Sequence, residues 1–464
     1  MEQSQLMNRR TFVQTGASAL AAGLINVRAP RMPHQVARAR PTPQQLAWQR
    51  DELAMFIHFG VNTFTDREWG DGTESPKIFN PTQLDARQWA RTARAAGFRG
   101  LILTAKHHDG FCLWRTKTTE HSVAASPFRG GKGDVVKEFV DACLTEGLKT
   151  GLYLSPWDRN SKFYGDSARY NDLYADQLAE LLTQYGRIDE VWFDGANGEG
   201  PNSNRQVYDW PRVFAHVRKL QPNALMFSDA GPDLRWCGNE SGTAGDPNWS
   251  SVNPGVVTFP GQGGAGIPEA LQHGDPNGLV WRPSECDTSI RPGWFYHPAD
   301  DEKVRTAENL FDLYFKSVGR NGKLLLNVPP TPAGVLHSTD VAHLAAFNDR
   351  MLKFKESEVN AAETAAWRST GPRTGEATLD LGRSTNVSVA RLSEDIREGQ
   401  AVAKYTLFGA DAGDWTVLAR GSTIGYARLD RFPPARVRWL KLVVEDAAFT
   451  PGPVGLSMYA ASVT

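Results

Sequence analysis

Carboxylates and imidazoles in this chain stand where apolar runs end. Asp194 closes Val191-Trp192-Phe193 and is followed at once by Gly195. His58 sits in Phe56-Ile57-His58-Phe59-Gly60, and the pair His107-His108 in Lys106-His107-His108-Asp109-Gly110-Phe111. A buried parallel strand that ends this way delivers a polar side chain to the mouth of an α/β barrel, and several such ends imply one shared site. Two opposed carboxyl groups suit retaining glycoside hydrolysis. One is ionised and attacks the anomeric carbon; the other starts protonated and serves the leaving oxygen, the two lying about 5–5.5 Å apart. Asp194 fits the attacking role, because a strand end holds it rigidly. An Asp there can also cap a following helix, but Asn197-Gly198-Glu199-Gly200-Pro201 is a poor helix start.

The proton donor must come from another loop, and Glu68, Glu240, Glu285 and Asp287 are the candidates. Glu240 lies in Arg235-Trp236-Cys237-Gly238-Asn239-Glu240, beside an aromatic, where partial burial raises a carboxyl pKa. Glu285 is flanked by Arg282, which is expected to keep it ionised and better suited to binding. The three histidines read as neutral imidazoles donating to sugar hydroxyls. On a regular strand His107 and His108 would face opposite ways, so at most one would point inward. No zinc ligand set is complete around them, and neither metal nor cofactor is expected.

The elements that must position these groups follow a strand–helix rhythm. Strands are expected at 55–61, 101–105, 150–154, 188–193, 225–227 and 324–328, with 279–282 as the sixth. Helices are expected at 85–96, 134–146 and 171–185, with a closing helix at 341–354. Asp134 and Gly147 bracket the second of these as N-cap and C-terminal stop. The rhythm implies a (β/α)8-like barrel over 41–358. Residues 229–278 are rich in Gly, Pro, Asn and Asp, and a loop that long in a compact domain is usually functional. Beyond 359 short alternating strands replace the helices, giving an all-β sandwich over 359–464.

The whole chain has 464 residues and a formal net charge of −1, which offers no basic surplus for nucleic acid. Near the start, Arg9-Arg10 precede a weakly apolar run from Ala17 to Val27. That order reads as a twin-arginine export signal with a spacer, filling 1–40, with Ala37-Arg38-Ala39 as a cleavage candidate. The run is too short to span a bilayer. A periplasmic or secreted protein, without membrane insertion once mature, is therefore expected. Cys112, Cys143, Cys237 and Cys286 match no zinc spacing and read as buried small hydrophobes.

Taken together, Phe56-Ile57-His58-Phe59-Gly60, Glu68-Trp69, Lys106-His107-His108-Asp109-Gly110-Phe111 and Trp192-Phe193-Asp194-Gly195 resemble the α-L-fucosidases of glycoside hydrolase family 29 over roughly 45–355. The resemblance implies that Asp194 is the nucleophile. It puts fucose-pocket contacts on His58, Glu68, Trp69, His107, His108, Tyr153 and Trp192, with Trp157 as a substitute for Tyr153. The stretch from Ser228-Asp229-Ala230-Gly231-Pro232-Asp233 to Gly238-Asn239-Glu240, with Arg291-Pro292-Gly293-Trp294-Phe295-Tyr296-His297, resembles the branch acting on α-1,3- or α-1,4-linked fucose. In that branch the acid/base falls on Glu240, and the implied partner is a fucosylated oligosaccharide or glycoconjugate. Two other readings remain open from the residues alone: a barrel glycosidase on another sugar, or a sugar-binding protein on an inactivated barrel. Fucose carries a methyl where other sugars carry a hydroxymethyl, and Phe56, Trp69 and Trp192 can wall it.

Overall fold

A computed structural model describes residues 38–360 and 364–460. Eight parallel strands build the first part: β1 (Leu53–Ile57), β2 (Gly100–Lys106), β3 (Lys149–Leu154), β4 (Glu190–Trp192), β5 (Leu225–Phe227), β6 (Arg235–Trp236), β7 (Ser284–Ser289) and β8 (Lys323–Asn327). Their order is β5-β4-β3-β2-β1-β8-β7-β6. A single parallel bridge between Phe227 and Leu234 joins the two ends, so the sheet closes into a barrel.

Alternation explains why these runs are apolar throughout. Ala54, Phe56, Ile102, Tyr153, Trp192 and Leu325 point to the barrel axis and pack together with Trp48. Their neighbours Met55, Leu101, Leu103, Leu152, Val191, Leu324 and Leu326 join the core under the outer helices. Fully burying such a side chain contributes about 1.5–3 kcal/mol. Strand β7 is the exception: Ser284-Glu285-Cys286-Asp287-Thr288-Ser289 has no apolar run, yet all six residues are buried.

The helices are α1 (Pro43–Asp51), α2 (Ala86–Ala95), α3 (Val135–Glu146), α4 (Ser167–Gln184), α5 (Trp210–Leu220), α6 (Ile267–His273), α7 (Ala307–Lys316) and α8 (Ser338–Glu356). Side-chain caps start most of them: Thr42, Asp85, Asp134, Asp166, Asp209 and Thr306 each accept a backbone N–H of the first turn. Gly147 ends α3 at φ 69°, a left-handed angle that favours glycine. None of the helices among the described residues is long and apolar enough to cross a membrane.

Two expectations need correction. Residues 279–282 do not supply a barrel strand. Val280–Trp281 instead pairs antiparallel with Ser251–Val252 in a separate two-stranded ribbon, and β6 and β7 take the sixth and seventh barrel positions. Strand β1 stops at Ile57 rather than 61, and this frees His58 to turn into the site.

The second part is an antiparallel β domain of β9 (Ala366–Gly371), β10 (Thr374–Glu394), β11 (Val402–Ala410), β12 (Thr416–Gly421), β13 (Arg428–Ala447) and β14 (Val454–Ala460). The order is β9-β10-β13-β11-β12, with β14 pairing the second half of β10. Where short strands were expected, β10 and β13 run 21 and 20 residues. Register breaks between Asp380 and Thr385, and residues on both sides of the break share one core, including Leu379, Val387, Leu440 and Met458.

The β domain is fastened to the barrel. Arg391 pairs with Glu52 at 2.8 Å, Tyr426 and Tyr314 donate to the same carboxylate, and Phe354 stacks on Tyr459 at 4.2 Å. Arg38, Ala39 and Arg40, expected as the end of the spacer, also pack here. Arg38 donates to the Gly399 carbonyl at 2.8 Å, Ala39 is buried beside Ile396, and Arg40 pairs with Glu398. The twin arginines and their apolar run lie outside the described residues. Trp415 and Trp439 are exposed on this domain, and a cation stands over each ring, Lys441 at 4.6 Å and Arg438 at 4.9 Å. All four cysteines are buried and unpaired.

Candidate active site

At the C-terminal ends of the strands lies a small cavity of about 170 Å³. Its walls are Phe56, His58, Trp69, His107, His108, Tyr153, Trp157, Trp192, Asp194, Ala196, Glu240, Asp287 and Trp294. Of the candidate catalytic and pocket residues singled out in the sequence, only Glu285, described below, and Glu68 are outside this lining. The Glu68 carboxylate accepts the Trp294 N–H at 2.5 Å and meets His297 at 3.1 Å, so it fixes the segment that carries Trp294.

Asp194 follows the end of β4. Its Oδ2 accepts the Tyr153 hydroxyl at 3.0 Å and its Oδ1 accepts the Ala196 N–H at 2.7 Å. No helix follows directly; α5 begins at Trp210 under the Asp209 cap. The side chain is 28% exposed, open to the cavity. His108 lies 3.9 Å away through Nε2, and its Nδ1 is 2.7 Å from Ser155 Oγ.

Strand β2 ends at Lys106, so His107 and His108 lie on the turn beyond it. Both therefore line the cavity, with ring centroids 4.1 Å apart, where a regular strand would have turned one away. His58 is held by Asn327 at the end of β8, Nδ1 to Oδ1 at 2.8 Å. Burial pushes the His58 pKa down to about 3, against the pull of Asn327. Burial also lowers His107, far below the usual range, and His108, the latter despite the nearby Asp194 charge. All three are neutral at pH 7, as suits hydrogen bonding to hydroxyls.

Glu240 stands at the rim, on the loop leaving β6. Partial burial raises its pKa, the Asp194 charge adds to this, and a hydrogen bond with Trp294 opposes it. Glu285 is elsewhere. It is wholly buried in the barrel interior, below the cavity, where its Oε2 accepts the Trp192 indole N–H at 3.1 Å. Arg282 does not hold it ionised: that guanidinium donates to the Pro232 carbonyl. Burial and the adjacent Glu190 raise the Glu285 pKa well above the carboxylate range, with Lys323 in partial opposition. Glu190 in turn accepts the Trp48 indole N–H at 2.8 Å.

Three supports had no signal in the sequence reading: Asn327 behind His58, Ser155 behind His108, and Trp236, which donates to Asp287 Oδ1 at 2.7 Å. Each lies at or just past a strand end, the one regularity by which they are identifiable. Among the described residues no group of three or more His, Cys, Asp or Glu is placed to hold a metal ion.

Comparison with known proteins points to one family. The α-L-fucosidase family profile matches residues 73–355. The chain is 42% identical over 443 residues to α-L-fucosidase 1 of Arabidopsis thaliana, covering 89% of this chain and 85% of that one. A glycoside hydrolase 29 family member from an unknown rumen bacterium superposes with a TM-score of 0.84 at 42% identity, over 92% of this chain and 78% of that one. A Ruminococcus gnavus GH29 fucosidase, solved in complex with fucose, superposes with a TM-score of 0.81 at 31% identity, over 92% and 96%. The chain belongs to the α-L-fucosidases of glycoside hydrolase family 29.

Proposed function

We propose that this enzyme is a retaining, exo-acting α-L-fucosidase that removes α-1,3- or α-1,4-linked fucose from oligosaccharides or glycoconjugates by double displacement. The observation that carries the reading is the shared cavity of Asp194 and Glu240. Tyr153 and the Ala196 N–H orient the Asp194 side chain in the cavity, and it acts as nucleophile. Glu240, with its pKa raised, protonates the leaving oxygen and then activates water. His58, His107 and His108 bind hydroxyls, while Phe56, Trp192 and Trp294 offer an apolar wall to the methyl group. Glu68 acts on the pocket through Trp294.

Support for the linkage preference is the sequence around Glu240, on a loop that also borders the rim where a leaving group must sit. Proton NMR during turnover tests the stereochemistry: α-fucose appearing first supports retention, and β-fucose first overturns it. A panel of α-1,2-, α-1,3-, α-1,4- and α-1,6-fucosylated oligosaccharides, with and without a galactose beside the fucose, tests the linkage.

The proposal extends to location. Arg9-Arg10 and the apolar run behind them support export of the folded protein to the periplasm or beyond. Processing upstream of Arg38 keeps the Arg38 and Arg40 contacts with the β domain. Fractionation of a producing cell, with Arg9 and Arg10 both changed to Lys as the control, tests this.

A further inference from the structure

Asp287 is the third carboxyl in the cavity, and the double displacement uses only two. It sits on β7, 4% exposed, with its Oδ1 tied to the Trp236 indole N–H at 2.7 Å. Glu240 from the β6 loop and Asp194 from the β4 end act on its charge, and the three histidines from the β1 and β2 ends share the cavity lining with it. No lysine or arginine lines the cavity. Glu285, two residues back on the same strand, is itself held protonated by burial.

We propose that Asp287 is a further substrate-binding residue of this site, a neutral carboxylic acid that donates its O–H to a hydroxyl of the bound sugar. The inference rests on reading the cavity as the sugar site. An ionised Asp287 would face two other carboxyl groups with no cation to offset it, whereas a protonated one adds a donor to a wall of neutral imidazoles. Burial pushes its pKa up to about 8, with the Glu240 and Asp194 charges adding to the rise and Trp236 opposing it. The acid is therefore protonated at pH 7 and loses its donor proton as pH rises through about 8.

The test compares wild type with Asp287→Asn and Asp287→Ala. It reads L-fucose binding by tryptophan fluorescence from pH 6 to 9.5, and kcat/KM on an aryl fucoside at pH 7. Asn keeps a neutral donor and an oxygen for Trp236. Asp287→Asn is expected to bind fucose within about threefold of wild type at pH 7. Asp287→Ala, with wild-type thermal stability as the check on folding, is expected to bind about tenfold more weakly, the cost of one lost hydrogen bond in a desolvated pocket. Wild-type affinity should fall above pH 8 and that of the Asn variant should stay level. Asn and Ala equally impaired would mean an ionised acceptor and overturn the proposal, as would Ala at wild-type affinity. Asp194→Asn run in parallel separates the two readings. Full turnover in that control overturns the cavity as the reacting site, whereas lost turnover there leaves only the Asp287 role in question.

Discussion

The indole nitrogen of Trp192 donates to Oε2 of Glu285 at 3.1 Å, so a wall of the sugar cavity hangs from a carboxyl buried inside the barrel. Glu285 is buried beside Glu190, and Glu190 takes the indole N–H of Trp48 from α1. Protonated Glu285 is nearly isosteric with glutamine. Glu285→Gln should therefore match wild type in thermal midpoint and stay within a few-fold in kcat/KM. Glu285→Ala leaves the Trp192 donor buried and unpaired, a cost of about 1–3 kcal/mol before any cavity penalty. Equal damage from Gln and Ala, in melting and in KM, would show that the ionised form is the one in place.

Replacing Asp194 by Ala removes the oxygen proposed to attack while leaving the histidines and aromatic walls in place. Turnover should fall by about 10³-fold or more with fucose binding retained. Azide should restore activity by attacking the substrate from the face Asp194 vacates, giving a β-fucosyl azide of inverted configuration relative to the α-fucoside, identifiable by NMR. Activity near wild type without azide would remove Asp194 from the mechanism.

Glu240→Ala should show its loss in the leaving group. An aryl fucoside with an acidic phenol needs little proton transfer, whereas an oligosaccharide needs it fully, so the gap between the two should approach the about 10²–10⁴-fold that general acid–base help supplies. Because the Glu240 pKa is raised, the wild type keeps its acid protonated to higher pH, and the alkaline fall of kcat/KM should flatten in the variant. Equal slowing of both substrates would move the proton donor elsewhere in the cavity.

His58→Ala and His107→Ala should lower affinity and kcat/KM together, by about tenfold each, since hydroxyl contacts serve ground and transition states alike. With its pKa near 3, His58 stays neutral across pH 5–8, and the acid limb of the wild-type profile should persist in His58→Ala. EDTA should leave activity unchanged. Loss with EDTA and recovery with zinc would overturn the metal-free reading.

Acid should loosen the attachment of the β domain. Burial works to raise the Glu52 pKa, but the charge and hydrogen bond of Arg391 and the Tyr314 hydroxyl outweigh it, and the folded value is lowered. A depressed carboxylate stabilises above its unfolded pKa and loses that stabilisation as pH falls through the folded one. Thermal midpoints should drop below about pH 4.5, and less steeply in Glu52→Gln, which starts lower at pH 7. Parallel pH curves for both proteins would deny Glu52 this role.

The parts legible in the sequence were those where both faces of an element are apolar. Strands β1 to β4 and β8 show as runs because their axis-facing and helix-facing residues are alike hydrophobic. Strand β6 is two residues long and β7 carries Glu285 and Asp287 toward the axis, so neither leaves a hydrophobic signature. Long β10 reads as two short strands, 377–381 and 387–392, because its register breaks between Asp380 and Thr385, and β13 reads only as 437–444. In the site, Asp194 and the histidines are visible as polar residues at strand ends. What the linear pattern hides is the turn after Lys106 that brings both His107 and His108 inward, and the placement of Glu68 behind Trp294.

The barrel's weakest seam, the single Phe227–Leu234 bridge, lies between the strand after the Asp194 strand and the strand that launches Glu240. Everything from Cys237 to Pro283 is an excursion between β6 and β7, with its own helix and ribbon. The half of the barrel holding Asp194 and the histidines draws none of its hydrogen-bonded strands from that excursion. Leaving-group recognition can thus be engineered by exchanging the part of that insert beyond Glu240 as a cassette, while Asp194, the histidines and Glu240 keep their places.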